Sequence, residues 1–322
     1  MPLTNRRKYR TSTTLAVLIV LPILISSYYY FCFVNNFWLT ELFFRSPSTQ
    51  ERGRFYASLF KWVLGIALFF INYISLGKIQ KRLQIIITSL ELFLLLALFM
   101  ATFQLSLPFI AAKVGYLITQ GAFTTLYVSA ISIVLAFCIA LVTAIARLSS
   151  NGVAVGIATF YTSFFRGIPL LIQIFILYMG LPQLGFVINP IPAGITALSL
   201  CYGAYMSEVF RAGIQSIPHG QWEASRALGL HKSKIMRLVI LPQALKIIIP
   251  PTGNHFIAML KDSSLVSVVG VWELTYVAST VGNREFRNME MLITAAAIYW
   301  IMSILLEIIQ GRIERSYSPA AR

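Results

Sequence analysis

The chain has 322 residues, 57% of them hydrophobic and only 11% charged, with a formal net charge of +15. Soluble domains carry about 25% charged residues, so this composition, with a mean hydropathy of +0.76, excludes a soluble domain and indicates an integral membrane protein. The basic residues sit in short segments between apolar runs, the pattern of positive-inside loops. No basic face carries the interleaved aromatics that base stacking needs, so nucleic acid is not an expected partner.

The basic stretch Asn5–Arg10 precedes an apolar run, Leu15–Val34. That run is too long for a signal-peptide core and no Ala-x-Ala site follows, so an uncleaved span with a cytoplasmic N-terminus is expected. Residues 35–56 form a mixed-charge loop with Arg45, Arg52 and Arg54. A second span is expected over Ala57–Leu76, with Lys61 snorkelling near its start, and a third over Leu83–Phe103. Glu91 lies inside the third and reads as a helix-packing partner.

A long apolar helix then runs from about Gly121 to Arg147, where Thr124, Ser129 and Ser132 point to close helix packing. Gly167-Ile168-Pro169 is expected to kink the chain after Asn151–Phe165. Arg166 beside that kink is either a snorkelling charge or part of a gate. Gln173, an amide inside a membrane helix, calls for a polar partner or a wet path. Gly180–Pro192 reads as an external turn, and Ala193–Ala212 carries Tyr202, Tyr205, Glu208 and Arg211. Glu208 either pairs with Arg211 at i,i+3 or faces the pathway.

The segment Gly220–Pro251 is a basic, amphipathic island. Ser216 is expected to cap a helix with Pro218 in its first turn, and Gly229 to close it. Ala224, Ala227 and Leu228 can share one face of that helix. A second run, Lys232–Ile240, is expected to stop at Pro242. Ile247–Met259 then climbs again, broken by Pro250-Pro251 and Gly253. Lys261-Asp262-Ser263-Ser264 follows, with two opposite charges at membrane depth that either pair or line a path. Val266–Thr280 suits a re-entrant or interfacial helix, Gly282–Met289 a charged external loop, Leu292–Ile309 the last span, and the tail Arg312–Arg322 is basic.

Cys32, Cys138 and Cys201 lie in apolar runs without metal spacing, and His219, His231 and His255 are scattered. Neither a metal site nor a disulfide is inferred. There is no G-x-x-x-x-G-K-[ST] phosphate loop and no catalytic constellation. The chain is therefore not expected to be an enzyme or to hold a cofactor.

The island has an ordered motif: Gly220, then Glu223-Ala224-Ser225, Gly229, and Val239-Ile240-Leu241-Pro242. It resembles the EAA loop of ABC-transporter permeases, with Ser225 in place of the second Ala and Val239 in place of Ile. Phe165–Leu171, Gly203-Ala204-Tyr205 with Glu208 and Arg211, Pro242-Gln243-Ala244 and Lys261–Leu265 extend the resemblance over about residues 115–312. They are similar to the polar-amino-acid branch, the histidine/glutamine/arginine-uptake type, from which Ser263 departs by one methyl group. The resemblance implies coupling to a separate ATPase through Gly220, Glu223, Ala224, Ser225, Gly229, Leu241 and Pro242. ATP and Mg would be bound by that ATPase. A second permease copy or paralogue, a solute-binding protein outside and membrane lipid are the other implied partners. Candidate pathway residues are Arg166, Gln173, Tyr205, Glu208, Lys261, Asp262, Ser263 and Ser264.

The expected fold is all-α and polytopic, with about eight transmembrane helices. Residues 1–112 supply three added spans of unknown role, and residues 113–322 form a five-helix permease core with a coupling loop at about 216–246. An even count and the basic ends place both termini in the cytoplasm of a bacterial inner membrane. An ion-coupled secondary transporter using Glu91, Glu208 and Asp262 is the alternative function, and a membrane sensor or scaffold the third.

Overall fold

The structure is a computed structural model that describes residues 63, 67, 72–74, 76, 77, 79–101, 103 and 105–317. The expected span Leu15–Val34, the loop 35–56, Cys32, Lys61 and most of Ala57–Leu76 lie outside the described residues. The chain divides into two compact units, Met1–Leu105 and Ser106–Arg322. Among the described residues, four helices are long and apolar enough to cross a membrane, or five if a bent pair counts as one span.

In the first unit, α1 (Lys81–Ala101) agrees with the expected third span. Glu91 is joined there to Asn72, whose amide donates to Glu91 Oε2 at 3.0 Å, as a packing partner should. The Gln84 side chain closes the turn before the helix by donating to the Leu76 and Ile79 carbonyls, both at 2.9 Å.

The second unit begins with α2 (Leu107–Arg147), a 41-residue helix interrupted by a π turn at Leu117–Ala122. Helix α3 (Gly152–Gly167) is capped by Asn151, whose side chain accepts from Val153 and Ala154 N–H. It meets α4 (Leu170–Leu184) at a bend of 105°. The cause is local: Ile168 precedes a proline and is held extended at φ −101, ψ 133.

Helix α5 (Pro190–Gln215) is the centre of the unit and packs against α2, α3, α4 and the helix that follows the coupling loop. Its Gly, Ala and Ser positions make it less apolar than α2 but allow backbones to approach closely. At Gly213 an added Cβ would lie 2.5 Å from Ile248 Cγ1. Ser199 Oγ donates to the Ser132 carbonyl of α2, and Ser129 and Ser132 are buried, as the expected packing role requires.

Three helices complete the unit after the short α6 (His219–Ala227). They are α7 (Lys232–Val269), α8 (Leu274–Glu285) and α9 (Asn288–Tyr317). The expected break at Pro242 is corrected: a π turn at Met236–Ile240 carries the helix into Leu241–Asp262 with Pro242 in its first turn, where an N–H is dispensable. Pro250 and Pro251 likewise lie inside the helix, and Gln310 of α9 reaches across to the Pro250 carbonyl at 3.1 Å. The expected last span, Leu292–Ile309, lies within α9.

Glu273 is fully buried and caps α8, accepting from Thr275 N–H at 2.9 Å and Tyr276 N–H at 2.8 Å. Tyr299 of α9 donates to the same carboxylate at 2.5 Å. Leu274 N–H also donates to Thr125 Oγ1 of α2 at 3.1 Å. Glu273 thus ties α8 to α9, and the Leu274 N–H ties it to α2, in a second hydrophobic cluster containing Leu117, Leu274 and Met291.

Candidate translocation cleft and coupling loop

The bend between α3 and α4 opens a cleft of about 480 Å³ against α5 and α7, lined among others by Arg166, Tyr202, Tyr205, His255, Ala258 and Asp262. Tyr202 and Tyr205 lie one helical turn apart on α5, and His255 and Asp262 two turns apart on α7, so each pair shares a face. The Tyr202 hydroxyl donates to Asp262 Oδ2 at 2.6 Å. The His255 ring lies 6.3 Å from the Tyr205 ring and 6.1 Å from the Tyr202 ring. The Arg166 guanidinium sits 5.4 Å from the Tyr205 ring centre, in cation–π geometry.

Glu208 lies beneath this cleft and is held by three arginines from three helices. Arg211 donates to its Oε2 from Nε at 3.1 Å and Nη2 at 2.9 Å. Arg147, at the end of α2, and Arg166 Nη1, at 3.4 Å, both approach Oε1. The expected i,i+3 pair with Arg211 is therefore present, as one part of a larger cluster. Three cations around one carboxylate leave this end of the cleft positive. Sequence reasoning recorded Arg147 only as a helix end; the available signal was its position opposite an acid near the end of another helix.

Other candidates lie elsewhere. Gln173 does not line the cleft: its amide donates to the Phe165 and Ile168 carbonyls, both at 2.9 Å, and braces the bend. The chain needs this amide because Pro169 and the extended Ile168 leave both carbonyls outside regular helix bonding. Ser263 is buried and returns its hydroxyl to the Leu260 carbonyl at 2.8 Å. Ser264 is half-buried, and its carbonyl accepts from the Ser267 hydroxyl. Lys261 is exposed and does not pair with Asp262, whose partner is Tyr202. His255 and Tyr202 were missed as site residues. The helical spacing of His255 to Asp262 was the signal that could have found His255.

The coupling segment folds as a helix, a turn and a helix start. Ser216 does not cap α6: its hydroxyl turns back to the Gly213 carbonyl at 2.8 Å, because α5 runs on to Gln215, and Pro218 becomes the cap residue. Trp222 and Ser225 face the bundle, while Glu223, Ala224, Ala227 and Leu228 are exposed. Gly229 adopts φ 71, and the turn closes with Gly229 N–H to the Arg226 carbonyl at 2.9 Å and Leu230 N–H to the Ser225 carbonyl at 3.2 Å. A side chain at Gly229 would strain this left-handed residue. Gln243 ties the turn to α7 by donating to Gln221 Oε1 at 3.2 Å and the Val239 carbonyl at 2.8 Å. Gly220 is exposed on α6, and Leu241 and Pro242 begin the α-helical part of α7.

Residues 139–319 match the family described as the binding-protein-dependent transport system inner membrane component. The chain belongs to this family. It is the permease subunit of an ABC importer, and every cleft and loop residue above falls inside the matched region. Similar relatives include the L-cystine transport system permease protein TcyB of Bacillus subtilis (strain 168), 40% identical over 62% of this chain and 86% of its own length. The arginine transport system permease protein ArtQ of the same organism is 39% identical, over 62% and 91%. A solved structure of an amino acid ABC transporter with histidines is 36% identical with a TM-score of 0.60, covering 64% of this chain and 98% of that one. The MetNI methionine ABC transporter, 23% identical with a TM-score of 0.56, shares the fold. Family membership sets aside the ion-coupled alternative.

Proposed function

We propose that this permease carries a polar amino acid through the cleft between α3, α4, α5 and α7. The observation that carries this reading is the pairing of an exposed cation, Arg166, with an acid, Asp262, on the walls of one cleft. A zwitterion presents the complementary carboxylate and ammonium. The aromatic Tyr202, Tyr205 and His255 supply an apolar lining that also tolerates charge. The names of the similar relatives, which concern cystine, arginine and glutamine transport, support the cargo class.

In this reading the exposed small-residue face of α6, with Glu223 beside it, enters a groove on a cytoplasmic ATPase that binds ATP and Mg. A second permease copy or paralogue completes the pathway, and a solute-binding protein delivers cargo from outside. The basic loops support a cytoplasmic location for α6 and both termini. Residues 1–112 add three spans to a five-span core, eight in all, embedded in the lipid of a bacterial inner membrane.

The test is affinity purification of the tagged chain from its native membrane in mild detergent, for the unaltered protein and Glu223→Lys. A stoichiometric ATPase lost in the variant is expected. A chain that purifies alone in both forms, even after cross-linking, refutes the coupling role of the loop.

A further inference from the structure

Beyond its first turn, α1 carries one ionisable side chain, Glu91. It lies ten residues from each end of the helix, Lys81 and Ala101, so about 15 Å of helix extends on either side at ~1.5 Å per residue. In a hydrocarbon core roughly 30 Å thick this is mid-depth. An ionised group is most costly there and needs a charged or strongly polar partner.

The partner that the fold supplies is neutral. Asn72, 7% exposed, donates from Nδ2 to Glu91 Oε2 at 3.0 Å. Among the described residues no ion pair includes Glu91. The basic side chains of its own helix, Lys81 and Arg82, lie about 13 Å or more back along the axis. Hydrogen bonding does not complete the compensation either. Glu91 Oε1 and Asn72 Oδ1 are both buried, and both are without a partner. With Glu91 ionised, each of these oxygens is an acceptor, and the pair has no second proton to share.

One added proton resolves both orphans. A carboxylic acid has an O–H donor and a carbonyl acceptor, the complement of the N–H donor and carbonyl acceptor of a primary amide. With the proton on Oε1, the acid donates to Asn72 Oδ1 while Oε2 accepts from Nδ2, and the pair closes on itself. The opposite orientation of the amide asks for the same proton. Asn72 Oδ1 would then face Glu91 Oε2, and two oxygens attract only through a proton between them. A hard metal cation in that place would want several more oxygen ligands, whereas one proton satisfies the pair.

We infer that Glu91 holds a resident proton and forms with Asn72 a neutral acid–amide clamp between α1 and the helical residues 72–74 that precede it. Side chains that hydrogen-bond across helices are common glue between membrane spans. The proton lets this pair act as glue without a net charge at mid-depth.

The test is infrared difference spectroscopy of the full chain in nanodiscs at neutral pH. Subtracting the spectrum of Glu91→Gln from that of the unaltered protein should leave the carbonyl stretch of a protonated carboxyl. In Asn72→Leu that band should persist and move to higher frequency, because the acid carbonyl has lost its amide donor. A carboxylate band in the difference spectrum overturns the resident proton, and an unmoved carbonyl band in Asn72→Leu overturns the clamp. Stability gives an independent reading. Glu91→Gln is neutral, has nearly the same shape and keeps one donor and one acceptor for Asn72, so it should melt with the unaltered chain, while Glu91→Ala melts several degrees lower. A Glu91→Gln variant that fails to fold, or melts as low as Glu91→Ala, shows that the charge is needed and overturns the inference.

Discussion

Glu208→Gln removes the one negative charge from a cluster of Arg147, Arg166 and Arg211 while nearly preserving its shape. The side chains of Arg147, Glu208 and Arg211 are 19%, 24% and 31% exposed, and that of Arg166 is 43% exposed. Unit charges about 4 Å apart interact by about 4 kcal/mol at an effective dielectric near 20. Partial exposure and the amide's remaining hydrogen bonds reduce this, and Arg166, the most exposed, contributes under ~1 kcal/mol. A net loss of about 2–3 kcal/mol is expected, chiefly from arginines left without a counter-charge. At roughly 2–4 °C per kcal/mol, thermal unfolding in nanodiscs should fall by about 5–10 °C. Adding Arg147→Gln removes one uncompensated cation, so the double variant should lose less than the two single variants together, with a coupling of about 1 kcal/mol or more. Strict additivity of the two changes would refute the reasoning, because it would mean that the arginines do not depend on the shared carboxylate.

Other expectations follow from the same bookkeeping of partners. Glu273→Ala removes the cap of α8 and strands two N–H groups and the Tyr299 hydroxyl in a buried site; about 3–4 kcal/mol should be lost, against about 1–2 kcal/mol for Tyr299→Phe, measured by thermal or denaturant unfolding. Gly229→Val forces a β-branched residue to φ 71 on an exposed turn, so ATP-driven uptake in proteoliposomes should fall by tenfold or more, on the order of 1.4 kcal/mol, while the protein stays folded and its melting temperature falls by only about 2–8 °C, as ~1–2 kcal/mol of left-handed strain implies. Gln173→Leu releases the Phe165 and Ile168 carbonyls at the bend; a loss of about 1–2 kcal/mol should appear as faster hydrogen exchange confined to residues 165–173, and uniform protection there would count against the brace.

Much of the permease unit was legible because membrane helices announce themselves by length and apolarity, and because special backbone positions demand special residues. Gly167-Ile168-Pro169 marked the bend because a proline bars the residue before it from the helical region, and Gly229 marked the turn after α6 because few other residues tolerate φ 71. The ordered motif from Gly220 to Pro242 marked the coupling loop through its resemblance to the EAA loop. Prolines misled where tertiary packing compensates for them. Pro242 lies in the first turn after a π turn, and Gln310 reaches over from α9 to the carbonyl of Pro250. Partner choice was the least legible part. Composition identified Glu208, Gln173 and Asp262 as polar groups that need company at membrane depth, but their partners came from distant positions: three arginines, two carbonyls across a bend, and Tyr202. Sequence alone fixes which groups cannot be left unsatisfied in a membrane. Tertiary structure decides what satisfies them, because hydrogen bonds and ion pairs act over a few ångströms between helices whose approach is set by packing.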